Sequence, residues 1–136
     1  MCLAVYLASN LELQPSSWSE RQPGYYLERV KPGKVVCRLF SLPYVYYVGS
    51  HEGCGCGFLK DGEVGEELEL HQANYWALVK CIKEAQSRGA NIELYACWEG
   101  DQSLEPVAVE AFTPSTLGEP EFQFSERHFI NVKAYA

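Results

Sequence analysis

The segment Gly53-Cys54-Gly55-Cys56-Gly57 sets two thiols two residues apart, with a glycine on either side of each. Side chains at i and i+2 project to the same side of an extended backbone. The alternating glycines leave the other side bare and tolerate positive φ. Both sulfurs can therefore turn toward one ligand, or the backbone can press against another surface. His51 lies three residues before Cys54, which makes a run His51-x-x-Cys54-x-Cys56 of soft and borderline ligands suited to Zn²⁺ or another transition metal. A tetrahedral ion needs a fourth group. His71 is the first candidate, because it falls on the apolar stripe of a helix and so faces the protein, and Glu52 is the second. The expected metal set is Cys54, Cys56, His51 and His71.

Two other chemistries compete for the loop. Cys54 and Cys56 joined in a small, strained disulfide form a labile redox pair, with His51 or nearby backbone N–H groups lowering a thiol pKa. The other is no chemistry at all: cysteine packs as a small hydrophobe, and a tight reversal uses glycine without function, as in a structural or interaction protein. The motif has neither the Cys-x₂-Cys spacing of a zinc ribbon nor a second cysteine pair. A glycine-lined anion nest finds no Gly-x-Gly-x-x-Gly or Gly-Lys-Ser/Thr to support it, and no serine sits in Gly-x-Ser-x-Gly. No nucleophile, base and orienting group can be named together, so no enzyme class is favoured. Cys2 is expected to be buried as a first strand residue, and Cys37, Cys81 and Cys97 to pack among apolar neighbours. His128 reads as exposed or hydrogen-bonded, and Asp61 and Asp101 as turn residues.

The elements that position these groups belong to one domain, residues 1–136, with no linker, repeat or low-complexity tract. Apolar residues make up 47% and charged residues 21%, which is ordinary for a folded domain. The net charge of −7 disfavours nucleic acid and anionic membrane as partners, since each phosphate contact needs a cation. The N-terminus reads at once as a strand rather than a signal peptide, and no window approaches eighteen apolar residues. A cytoplasmic location is expected, where thiols stay free or bind metal.

Residues 2 to 8 are apolar on both alternating faces, as in a central strand covered on both sides. A loop follows over residues 10 to 24, then a second strand over Tyr25 to Val30. Val35 to Phe40 fits either a short strand or a helical turn. Tyr44 to Val48 is a strand rich in aromatic and β-branched residues. It runs straight into the glycine–cysteine loop, after which Phe58-Leu59 begins a short return strand. From Glu66 to Arg88 the period becomes helical. Leu68, His71, Tyr75, Leu78, Val79, Ile82 and Ala85 share one face, Glu66, Glu67 and Glu69 suit the positive N-terminal end, and Gly89 marks the stop. Ile92 to Trp98 alternates as a strand with one wetter face made by Glu93, Tyr95 and Cys97. Val107 to Phe112 and Phe129 to Tyr135 are two more strands, with a turn at Thr113-Pro114-Ser115. Strands dominate and do not alternate with helices, which predicts an α+β fold: a mainly antiparallel or mixed sheet with one long amphipathic helix packed across it.

The stretch Tyr44 to Phe58, Tyr-Val-Tyr-Tyr-Val-Gly-Ser-His-Glu-Gly-Cys-Gly-Cys-Gly-Phe, resembles a family of small uncharacterised bacterial proteins. Its members share a Tyr-(Val/Leu)-Gly-Ser-x-x-Gly-Cys-x-Cys-Gly-Phe core. The opening strand Leu3 to Ser9 and the closing Phe124 to Phe129 are similar as well. The resemblance implies a bacterial, cytoplasmic source and carries over no activity.

Overall fold

The computed structural model describes residues 2–134. Six strands form one mixed sheet: β1 (Leu3–Ser9), β2 (Tyr26–Arg29), β3 (Tyr44–Gly49), β4 (Ile92–Trp98), β5 (Ala108–Phe112) and β6 (His128–Val132). Their order across the sheet is β2-β3-β1-β4-β6-β5. All neighbours run antiparallel except β5 and β6, which are parallel. A parallel pair needs a long crossover. Residues 113–127 supply it and include the short helix α2 (Pro114–Leu117) where a simple turn was expected. The long helix α1 (Gly65–Ser87) follows β3. The fold is α+β, as the pattern of elements predicted.

Alternation divides the core into two layers. Leu3, Val5 and Leu7 of β1, Tyr46 and Val48 of β3, and Leu94 and Ala96 of β4 pack beneath α1 against Tyr75, Leu78, Ile82 and Ala85. Ala4, Tyr6, Ala8, Val45, Tyr95, Cys97 and Phe129 form the other face, with Val36 and Phe40 set over it. The ambiguous segment is a 3-10 turn, Val35–Leu39, that carries Val36 into this second layer. The β4 face expected to be wet is therefore buried. Glu93 is tolerated there because its carboxylate accepts hydrogen bonds from the Ser41 and Leu42 backbone N–H groups and from the Ser41 hydroxyl. On α1, Leu68 lies outside the buried stripe and is 37% exposed, while the polar Asn74 is buried on it. Of the strand expected over Phe129 to Tyr135, Tyr135 lies outside the described residues.

Candidate metal centre

The antiparallel register sets Val5 opposite Val48, so the end of β3 runs past the beginning of β1. The loop leaving β3 is thereby delivered over Cys2. Ser50, fully buried, organises it. Its hydroxyl donates to the Cys54 carbonyl at 2.5 Å and accepts from the backbone N–H groups of Glu52 and Gly57. Its own N–H also donates to the Cys54 carbonyl. The chain then makes a 3-10 turn, Gly55–Phe58, where a return strand was expected. Extended pairing is ruled out by packing. Phe58 is buried against the rings of Tyr75 and Phe124, and its carbonyl accepts from the Tyr75 hydroxyl.

Two glycines of the motif are fixed by close approach. A Cβ on Gly55 would stand 2.3 Å from the Leu3 carbonyl oxygen, so the loop lies directly on the first peptide of β1. A Cβ on Gly57 would meet the Ser50 Oγ at 2.1 Å, the atom to which its N–H donates. The first contact brings Cys54 and Cys56, on either side of Gly55, against the residue before Leu3.

That residue is Cys2. The sulfurs of Cys2, Cys54 and Cys56 all lie within 4.8 Å of one another. Cys2 is exposed rather than buried, which corrects the expectation for it: the ladder begins at Leu3, and Cys2 lies just beyond. Its backbone is nonetheless held, since its carbonyl accepts from the Glu99 N–H. Burial pushes the Cys54 thiol up to about 12; the Cys56 backbone N–H opposes this, and the neighbouring sulfurs of Cys56 and Cys2 reinforce it. At neutral pH Cys54 is a thiol, ready to exchange its proton for a cation and poorly disposed to act as a free nucleophile.

The imidazoles of the expected metal set stand in a second group. His51, Glu52, Glu67 and His71 each offer an atom within 4.8 Å of the others. The structure thus distributes Cys54, Cys56, His51 and His71 over two clusters and completes each with residues outside that set. His71 is buried under the loop, as the helical stripe required, and its ring meets that of His51 edge to face at 4.9 Å between centroids. The other cysteines lie away from both groups: Cys97 is buried, and Cys37 and Cys81 are half-buried. His128 is buried with its Nε2 2.6 Å from Glu110, within the hydrogen-bonded alternative expected for it. A cavity of about 600 Å³ among Tyr6, Tyr26, Arg29, Lys34 and Tyr47 contains none of these ligating atoms.

Asn74 was not singled out by the sequence, yet it joins helix and loop. Its Oδ1 accepts from the His51 backbone N–H, and its Nδ2 donates to the Gly57 carbonyl and contacts His51 Nδ1 at 2.8 Å. The signal available was a polar residue three positions after His71, on the stripe's edge.

The fold and the site together define an α+β protein with three convergent thiols at the end of its central strand. Comparison with known protein families, curated proteins and solved structures finds no match. Among the described residues no helix is long and apolar enough to cross a membrane.

Proposed function

We propose that this is a metal-binding protein in which Cys2, Cys54 and Cys56 hold a soft or borderline transition metal ion as thiolates, with Zn²⁺ or Cu⁺ the best suited. One observation carries the proposal: three sulfurs from two separated segments lie within 4.8 Å of one another. Thiolate ligands select these ions, and three sulfurs with one open position leave a zinc ion accessible to a further ligand. The raised Cys54 thiol supports the same reading over thiol exchange, because an exchange catalyst needs a ready thiolate. On this reading, the loop that resembles that of the small bacterial proteins is the metal loop, and the strand end that meets it supplies the third sulfur.

Metal analysis of protein purified without chelator, followed by zinc titration against a chromogenic competitor, tests the proposal. The expected result is one thiol-dependent equivalent, lost in Cys54→Ser/Cys56→Ser and weakened in Cys2→Ser. Binding that is indifferent to all three cysteines in a folded protein overturns it.

A further inference from the structure

The His51–His71 group presents a different donor set from the thiols, and its hydrogen bonds define which atoms are available. The Asn74 amide is oriented by two contacts that do not depend on a histidine ring: Oδ1 accepts the His51 backbone N–H at 3.2 Å, and Nδ2 donates to the Gly57 carbonyl at 3.1 Å. The remaining Nδ2 hydrogen therefore faces His51 Nδ1, which accepts it. The His51 ring hydrogen is then on Nε2. That atom is buried without a hydrogen-bond partner, in a side chain only 10% exposed, and faces Glu67 Oε2 at 3.6 Å and Glu52 Oε1 at 3.9 Å. Both separations are too long for a hydrogen bond.

His71 has the opposite arrangement. Its Nδ1 lies 2.7 Å from the Glu67 backbone carbonyl, a pure acceptor, and 3.7 Å from Glu67 Oε2, so Nδ1 carries the hydrogen and Nε2 keeps its lone pair. Ring N–H donation to a backbone carbonyl is the usual way a ligating histidine is oriented. Glu67 and His71 are four residues apart and so share one face of α1. Glu52 enters from the loop, and the carboxylates of Glu52 and Glu67 are about half-exposed, open to an ion arriving from solvent.

From these contacts we infer a second cation site, separate from the thiols, in which Glu52, Glu67 and His71 bind a borderline divalent transition ion and His51 donates its Nε2–H to a ligating carboxylate or to water on the ion. Two carboxylates balance the charge of the ion. Imidazole and carboxylate together suit Zn²⁺, Co²⁺, Fe²⁺ or Mn²⁺. His51 is a positioning residue here: Asn74 holds it in the tautomer that donates rather than the one that ligates.

The experiment uses the full chain with Cys2, Cys54 and Cys56 all changed to Ser, so that failure of the thiol site and failure of this one are separable. Titration with Co²⁺, followed by its visible absorption, should show one equivalent bound. Glu67→Gln or His71→Ala added to that background should weaken it at least tenfold. In the otherwise unaltered chain, His71→Ala should remove one equivalent of zinc and leave the thiol-dependent one, which keeps the test valid if the triple variant fails to fold. Long-range ¹H–¹⁵N spectra with and without zinc should show a pyrrole-like Nε2 and pyridine-like Nδ1 on His51 in both states, and a metal-dependent shift at His71 Nε2. A folded triple variant that takes up no cobalt overturns the site. A metal shift at His51 Nε2 instead of His71 overturns the assignment of roles.

Discussion

Replacing Gly55 by alanine perturbs the proposed metal centre without touching any of its three sulfurs. The new methyl would stand 2.3 Å from the Leu3 carbonyl oxygen and 3.0 Å from the Leu3 carbonyl carbon, whereas ordinary contact begins near 3.4 Å. The obstruction is backbone of the central strand, held at Leu3 by β4 and from Val5 onward by β3 as well, so it cannot swing aside as a side chain would. The loop must retreat by about 1 Å, the 3.4 − 2.3 difference between those distances. Overpacking of this kind costs about 1–3 kcal/mol of stability. The larger effect falls on the centre. Cys54 and Cys56 move with the loop while Cys2 stays with β1, and metal–ligand distances tolerate shifts of only about 0.2 Å. Gly55→Ala should therefore bind zinc roughly 10- to 100-fold more weakly, the range seen when supporting residues around a metal are altered. Competition titration measures the affinity, and urea unfolding in the presence of chelator measures the stability. A folded Gly55→Ala protein that binds zinc as tightly as the original chain would refute the contribution of Cys2 and the packing argument with it.

Other perturbations have equally definite outcomes. Ser50→Ala leaves the buried Gly57 N–H without its acceptor and deprives the Cys54 carbonyl of its hydroxyl donor, which should cost about 1–3 kcal/mol in chemical denaturation; an unchanged midpoint contradicts the role given to Ser50. Stability should fall in alkali. Burial raises both Cys54 and Cys97 from 9.0 to about 12, so the folded state favours the neutral thiols. Their contribution is full below pH 9 and is lost as pH rises through about 12. Equilibrium unfolding of the metal-free protein from pH 8 to 11.5 checks this, and a stability that rises across that range refutes it. Zinc affinity should move the other way at lower pH, growing by at least about tenfold per unit between pH 6 and 8, because the Cys54 proton must leave on binding. Calorimetry in buffers of different ionisation enthalpy counts the released protons, and a count of zero contradicts thiolate ligation.

Much of the fold was legible because alternation and helical period report burial directly. Residues 2 to 8 declared a central strand by being apolar on both faces, and the observed strand is Leu3–Ser9; the stripe through His71, Tyr75, Leu78 and Ile82 declared a helix buried on one side. Glu93 misled, since a lone carboxylate in an alternating strand signals water, and only the tertiary contact with Ser41 and Leu42 makes its burial tolerable. Phe58 misled in the same way: two apolar residues before a turn read as a strand, but ring packing against Tyr75 and Phe124 decided a tighter course.

The candidate site was half legible. Local spacing announced Cys54, Cys56 and His51, and helical phase turned His71 inward. Proximity along the chain then suggested one centre. The structure groups the thiols apart from the imidazoles: β3 runs antiparallel to β1 and carries the loop to Cys2, more than fifty residues away in sequence. Nothing local to Cys2 marks it as a ligand. Asn74 escaped notice for the complementary reason: a polar residue on a helix reads as solvated until the loop that covers it is known.

The most direct test of the three-thiol centre is X-ray absorption on the His71→Ala protein loaded with one equivalent of zinc. Loss of His71 removes a ligand of the second proposed site, so the spectrum reports the thiols. Three sulfur neighbours at about 2.3 Å with one lighter atom are expected, falling to two sulfurs when Cys2→Ser is added. A first shell of nitrogen and oxygen alone, or a sulfur count indifferent to Cys2, would contradict the centre.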